Sequence, residues 1–436
     1  EAFDFDGDGI GDNADTDDDD DGYDDAEDAF PLNPFDWTDT DNDGVGDNTD
    51  AFGLDENQQS LLVAEAVSKV LDETLRQCIA AATVDLSRAE ALTELGCGYD
   101  ESMPPVGDLS GLEHFFNLEI INLGRAAPDS LEPLSNLNNL SELHINNVFW
   151  PIRDLSPLGQ LYRLRFISFD RDEALTDGDF EALSRLRNLD EIRFGFNNEL
   201  SSIEFLRNHP RLKRVLIGYA KISDFSRIAD LEFLQVLNIY EQGTQLPLDV
   251  SFLRANRELL SFGTHMGIAG ERVFLYLNKL KVFSTGWSGS PDQPHQFSEY
   301  TNLDFLMNAV ELEQISVENY GLSDFSRLSS FPNLKSLNIK GNRISDLSVL
   351  TGLDQLESVS LVSNELQTLG DVLINWPALL NGNTSFNLST NPLPCSEIEA
   401  ARANPNITVE FDGECSIAGI DAFKFDAPGR PFAGYY

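Results

Sequence analysis

The sequence predicts a solenoid of the α/β horseshoe class. About thirteen short parallel strands would line a concave sheet, with 3₁₀ or irregular segments on the convex side. Irregular acidic loops and a helical cap precede it. Three observations carry this reading. An apolar pattern Leu-x-x-Leu-x-Leu returns through most of the chain, with most starts 21 to 26 residues apart. Three acidic loops near the N-terminus share one spacing. Four cysteines form two local pairs, one at each end of the repeated region. The resulting division is 1–54 acidic loops, 55–91 helical cap, 92–394 repeats, 395–415 C-terminal cap and 416–436 aromatic tail.

The first acidic loop runs from Asp4 to Asp15, with carboxylates at loop positions 1, 3, 5, 9 and 12 (Asp4, Asp6, Asp8, Asp12, Asp15) and Gly9 at position 6. Loop two repeats this with Asp17, Asp19, Asp21, Gly22, Asp25 and Asp28, and loop three with Asp39, Asp41, Asp43, Gly44, Asp47 and Asp50. Ca²⁺ takes six to eight hard oxygen ligands, and this spacing wraps a loop around one ion. The glycine permits the sharp turn. Ile10, Tyr23 and Val45, at position 7, would offer backbone carbonyls. Three ions or more are expected.

An EF-hand would place helices on both sides and usually Glu at position 12. Here position 12 is Asp each time, and loop starts are 13 and then 22 residues apart. The segment resembles the thrombospondin type 3 repeat, in which short and long acidic units alternate around Ca²⁺, although it lacks the cysteines of the animal version. Residues 1–56 hold 23 acids and no Lys or Arg, leaving 51 of the 74 acids against 29 bases in the remainder. Without cations such a segment has too little apolar content to offset its self-repulsion. A net charge of −45 argues against nucleic acid and anionic membranes as partners. No apolar run is long enough to span a bilayer. The chain reads as a mature exported product that begins within a longer acidic array.

An amphipathic helical stretch is expected over 55–82, with Leu62, Ala66, Val70 and Leu71 on one stripe. Cys78 with Cys97, and Cys395 with Cys415, are 19 and 20 residues apart, which suggests two local disulfides closing the caps. Between them each repeat supplies a short strand with an inward apolar face, a turn and a segment such as Asp154-Leu155-Ser156-Pro157-Leu158 on the convex side. Asn342 and Asn364 sit where a buried amide would bond the turning backbone. One repeat cannot bury its leucines alone, but a stack can. The motif from Asn338 to Leu347 resembles the 22-residue, internalin-type bacterial leucine-rich repeat, and that resemblance covers about residues 85–394. The longer step from Leu280 to Leu312 marks an insertion near 286–300.

No catalytic constellation is present, and His114, His144, His209, His265 and His295 lack metal-ligand spacing. The chain reads as a non-enzyme. Its concave face is the better candidate. One exposed residue per strand makes a small polar column from Asn122 and His144 to Asn338 and Ser360. At the strand exits Phe196, Tyr219, Tyr240, Met266, Trp287 and Tyr320 form an aromatic strip suited to partner binding. The tail carries Phe423, Phe425, Phe432, Tyr435 and Tyr436, expected to dock on another copy in head-to-tail assembly. These features imply an exported, calcium-dependent interaction or adhesion protein of a bacterial surface, with an extracellular protein or glycan on the concave face. A protomer of a calcium-stabilised filament or surface layer, or an accessory module of a secreted enzyme, are the alternatives.

Overall fold

The structure is a computed structural model. It describes Phe5, residues 11–40 apart from 13, 20 and 35, Asp47, and 61–97, 104–124, 126–145, 152, 154–170, 175–195, 199–240, 247–286, 301–377, 383–417, 420–426 and 430–431. Two compact units divide it, Glu1–Phe233 and Leu234–Tyr436.

After the acidic loops, unit one continues with α1 (Val63–Lys69) and α2 (Glu73–Ala82). The single helical stretch expected over 55–82 is therefore two helices, and 55–60 lie outside the described residues. Its interruption is local. Val70 is extended, and Asp72 Oδ1 accepts from Leu75 N at 2.8 Å, which caps a new helix. Asp72 Oδ2 accepts from Gly107 N at 2.9 Å. Ala66 and Val70 are buried as expected, whereas Leu62 and Leu71, flanking the two ends of α1, are exposed. Gly111 has φ +104°, and a Cβ there would lie 2.6 Å from Val70 Cα, so only glycine lets the first repeat approach the cap this closely.

Six parallel strands follow in chain order: β1 (Glu94–Cys97), β2 (Ile120–Leu123), β3 (Glu142–Ile145), β4 (Phe166–Asp170), β5 (Glu191–Gly195) and β6 (Arg214–Ile217). Leu95, Ile121, Leu143, Ile167, Ile192 and Val215 align across them, and all six are buried. Each such side chain contributes roughly 1.5–3 kcal/mol of transfer free energy. A disulfide joins Cys78 of α2 to Cys97 of β1, with Cα atoms 5.9 Å apart. Loop-closure entropy makes a cross-link of this span worth roughly 2–4 kcal/mol. Convex segments are 3₁₀ turns, apart from the single-turn helix α3 (Asp177–Phe180). Their start is encoded by Asp-x-Ser: Asp154 Oδ1 accepts from Ser156 N at 2.8 Å, and Asp224 does so from Ser226 N at 2.8 Å.

Unit two contributes eight parallel strands: β7 (Val236–Ile239), β9 (Ser261–Thr264), β11 (Val282–Gly286), β12 (Gln314–Glu318), β13 (Ser336–Asn338), β14 (Ser358–Ser360), β15 (Thr384–Asn387) and β16 (Ile407–Glu410). The short β8 (Leu248–Asp249) and β10 (Ile268–Ala269) pair separately. Fourteen strands thus lie in the parallel ladders. Thirteen carry the repeat pattern, and β16, expected as cap, adds the fourteenth. The two weakest copies of the pattern are in register, with Leu237, Phe262 and Phe283 aligned. Packing explains their divergence. Phe262, Phe274, Phe283 and Phe305 stack with centroids 5.0 to 6.1 Å apart, filling with rings the space that leucines fill elsewhere. The insertion lies mostly outside the described residues.

A ladder of buried amides satisfies the descending turns. Asn342 Nδ2 donates to Val317 O (2.7 Å), Asn364 Nδ2 to Ile339 O (2.9 Å) and Asn391 Nδ2 to Leu361 O (2.8 Å). Their Oδ1 atoms accept from Leu322 N, Ile344 N and Leu366 N at 3.0 to 3.2 Å. The C-terminal cap has α4 (Cys395–Arg402) and a disulfide from Cys395 to Cys415. The tail does not begin a separate segment at 416. Strand β17 (Gly413–Ile417) pairs antiparallel with β18 (Ile420–Asp426), which pairs with β19 (Arg430–Pro431). Phe423 and Phe425 lie in β18, and Phe432, Tyr435 and Tyr436 lie outside the described residues. Among the described residues no helix is long and apolar enough to cross a membrane.

Replacing Asn364 by Ala should remove roughly 3 kcal/mol of stability, because Ile339 O, Leu361 O and Ile344 N lose their buried partner together. Denaturant unfolding measures it, and a loss below about 0.5 kcal/mol would show that water replaces the amide.

Candidate functional site

Loop two is the best described of the acidic loops. Asp17 accepts from Asp21 N and Gly22 N at 3.2 and 3.0 Å, which draws the glycine turn around the first carboxylate. Asp19 Oδ1 accepts from Asp21 N (3.2 Å), Asp21 Oδ1 from Tyr23 N (2.9 Å) and Asp28 Oδ1 from Phe30 N (2.7 Å). One oxygen of each is thereby fixed to the backbone. The other oxygens, Asp19 Oδ2, Asp21 Oδ2 and Asp28 Oδ2, are buried with no hydrogen-bond donor among the described residues. Ligand oxygens of Asp17, Asp19 and Asp21 lie within 4.8 Å of one another. Burial pushes the Asp19 carboxyl up to about 7, and the charges of Asp21, Asp28 and Asp17 add to this. Asp28 is also raised, first by burial. No Lys or Arg precedes Lys69, so nothing in the loops neutralises these oxygens. Buried unpaired anionic oxygen is costly. An all-oxygen set of this kind could hold a hard cation.

Position 9 does something the spacing alone did not reveal. Asp12 Oδ1 accepts from Phe5 N (2.8 Å), Asp25 Oδ1 from Asp18 N (2.9 Å) and Asp47 Oδ1 from Thr40 N (2.8 Å). The same bond from position 2 recurs in all three loops, so these carboxylates clamp loop geometry with one oxygen each. Asp15 accepts from Thr16 N and Asp17 N, joining loop one to loop two. The ring of Tyr23 stacks on Trp37 at 4.8 Å with an 8° interplanar angle. Asp39, at position 1 of loop three, is half-buried. Asp4, Asp6, Asp8, Ile10, Asp41, Asp43, Val45 and Asp50 lie outside the described residues.

The open face of the sheet is the second site. In unit one the register aligns Asn122, His144, Ser168, Arg193 and Leu216, the column read from the sequence. Two residues earlier on each strand lies a parallel column, Glu142, Phe166, Glu191 and Arg214. Across both columns His144 stacks on Phe166 at 4.2 Å, and Arg193 lies over the same ring at 5.2 Å. Glu191 binds Arg193, and it binds Arg214 Nη1 at 3.2 Å. His144 Nε2 is 3.5 Å from Glu142. Sequence reasoning missed Phe166, Glu191 and Arg214 because it followed one residue per strand. Strand alternation exposes two on a four-residue strand, and that period was the available signal.

The expected aromatic strip is only partly on this face. Tyr240 is half-buried and tilts against His265 at 4.7 Å in unit two. Tyr219 is half-buried with φ 49°. Phe196 and Trp287 lie outside the described residues. Met266 and Tyr320 are core instead, at 8 % and 7 % exposure. For Tyr320 the cause is Thr285, which occupies an inward position held by Val317 on the next strand. Its buried hydroxyl needs partners and finds Met266 O at 3.0 Å and the Tyr320 hydroxyl. Tyr320 Oη also accepts from Ile268 N at 3.1 Å. Among the histidines, His209 is buried and donates from Nε2 to Leu183 O at 3.0 Å.

Repeat, 3₁₀ turns and amide ladder together define a leucine-rich-repeat solenoid. No protein-family model matches the chain, and no curated protein matches it. Among solved structures it is similar to an internalin from Listeria monocytogenes, with TM-score 0.63 and 24% identity over 82% of this chain and 100% of that one. It is also similar to a leucine-rich-repeat protein from Leptospira interrogans, with TM-score 0.56 and 17% identity over 83% of this chain and 96% of that one. The likeness is one of fold.

Replacing Tyr320 by Phe should destabilise unit two by about 1–3 kcal/mol, since Thr285 and Ile268 N lose a buried partner. Unchanged thermal and denaturant unfolding would place Tyr320 back among exposed residues.

Proposed function

We propose that the chain is an exported, calcium-dependent recognition module of a bacterial surface. The open sheet face engages an extracellular protein or glycan, and the acidic loops form a stalk stiffened by Ca²⁺. One observation carries the recognition half: Phe166, His144, Arg193 and Arg214 gather on the open face across four adjacent strands. Aromatic and arginine side chains are the types that anchor interfaces. The calcium half is supported by the buried, donorless oxygens of Asp19, Asp21 and Asp28. Asp17 would complete that set, with the Tyr23 carbonyl at position 7. Two disulfides and weak acidic modules suit an oxidising, calcium-rich exterior.

Calorimetry of residues 1–52 should report three or more bound Ca²⁺ ions. In the full chain, Ca²⁺ should change the emission of Trp37, and the double variant Asp19→Ala/Asp28→Ala should abolish the part arising from loop two. Two ions or fewer would remove the proposal's calcium half.

Recognition is tested by screening the full Ca²⁺-loaded chain against displayed peptides and immobilised glycans. The strongest binders should lose at least tenfold affinity on Phe166→Ala/Arg193→Ala while the melting temperature stays within a few degrees. Binders unaffected by these changes would move recognition off the open face.

A further inference from the structure

The open face of β4 to β6 has a charge arrangement that selects among partners. Arg193 and Arg214 have side chains 48% and 58% exposed, and both pair with Glu191, whose side chain is only 10% exposed. Among the described residues, two guanidinium groups therefore share one carboxylate. Both side chains keep surface toward solvent, and the trio of Arg193, Arg214 and Glu191 carries one net positive charge, with Glu142 on the far side of Phe166 beside His144. The stretch of chain that contains these strands is neutral within a strongly acidic protein. Residues 163–214 hold ten of the 29 bases against ten acids, in a chain whose net charge is −45.

Geometry separates the partner classes. Phe166 sits on β4, between β3 and β5, with His144 of β3 on one side and Arg193 of β5 on the other. The ring is already in contact with both neighbours, which leaves less of it for a sugar to stack on. The ring instead holds the Arg193 guanidinium by cation–π attraction, while Glu191 holds it from below. A guanidinium fixed in this way matches the planar fork of a carboxylate. Screening confines the repulsion from distant acids to about 8 Å at physiological salt, so the net charge of the chain does not cancel this local field.

We infer that this face binds an acidic segment of a partner protein, with carboxylates seated on Arg193 and Arg214. The inference rests on the open face being the recognition surface and adds the chemistry of what it recognises.

The test is a random twelve-residue peptide library displayed on phage, selected on the full chain in millimolar Ca²⁺. Selected peptides should be enriched in Asp and Glu. Their affinity, read by fluorescence polarisation, should fall more than tenfold on Arg193→Glu/Arg214→Glu and by less on Arg193→Lys/Arg214→Lys. It should also weaken as salt rises. Circular dichroism checks that each variant is folded, and Glu365→Lys, in the other unit, should leave affinity unchanged. Peptides that need the open face but carry no enrichment in acids overturn this inference and leave the recognition surface standing. Peptides indifferent to Phe166→Ala and to both arginine pairs overturn both. Failure to select any peptide, or binding of hyaluronan through the same arginines in place of peptides, overturns the acidic-protein assignment.

Discussion

Everything in this molecule depends on one constraint: a repeat of about 22 residues cannot satisfy its own interior. Its leucines need the leucines of the next repeat, and its turning backbone needs donors and acceptors that no single turn contains. The parallel register meets the first need by aligning Leu95, Ile121, Leu143, Ile167, Ile192 and Val215. Asn342, Asn364 and Asn391 meet the second, each reaching back to a carbonyl of the preceding repeat. The same register then decides what the open face displays. Phe166, Arg193 and Arg214 come together only because strands β4, β5 and β6 are held without slip, since a shift of one residue would send each to the core.

Most of this architecture was legible in the sequence because period and spacing are local properties. The repeat marked thirteen strands, and the cysteine spacing marked both disulfides. The helical cap shows where local reading fails. Leu62, Ala66, Val70 and Leu71 share a helical stripe on paper, yet Asp72 caps a second helix through Leu75 N, and its other oxygen accepts from Gly107 N, 35 residues away. Nothing in the local pattern announces that partner.

The candidate sites divide in the same way. The turn carboxylates of loop two could be read by position, since their spacing is set within twelve residues. The position-9 clamp could not, because a carboxylate that accepts a backbone bond and one that binds a cation look alike in a sequence. The aromatic strip was misread at Met266 and Tyr320 for another reason. At Tyr320 a buried threonine, Thr285, made the interior locally polar and drew the tyrosine hydroxyl inward to satisfy it. That compensation is tertiary, and it spans 35 residues.

The shared carboxylate of Asp72 also has a dynamic consequence. One oxygen terminates α2 and the other accepts from Gly107 N, in the approach to the second strand. Fraying of the first turn of α2 thus also strips Gly107 N of its acceptor, and opening of that approach strips the helix of part of its cap. The two events become one cooperative opening, which the Cys78–Cys97 bond prevents from spreading into wide separation. In hydrogen-exchange terms, amides of α2 and of the chain near Gly107 should share a protection class. Breathing at this end of the solenoid is then governed by a latch between cap and repeat, so a protease would meet a closed cap instead of a fraying helix.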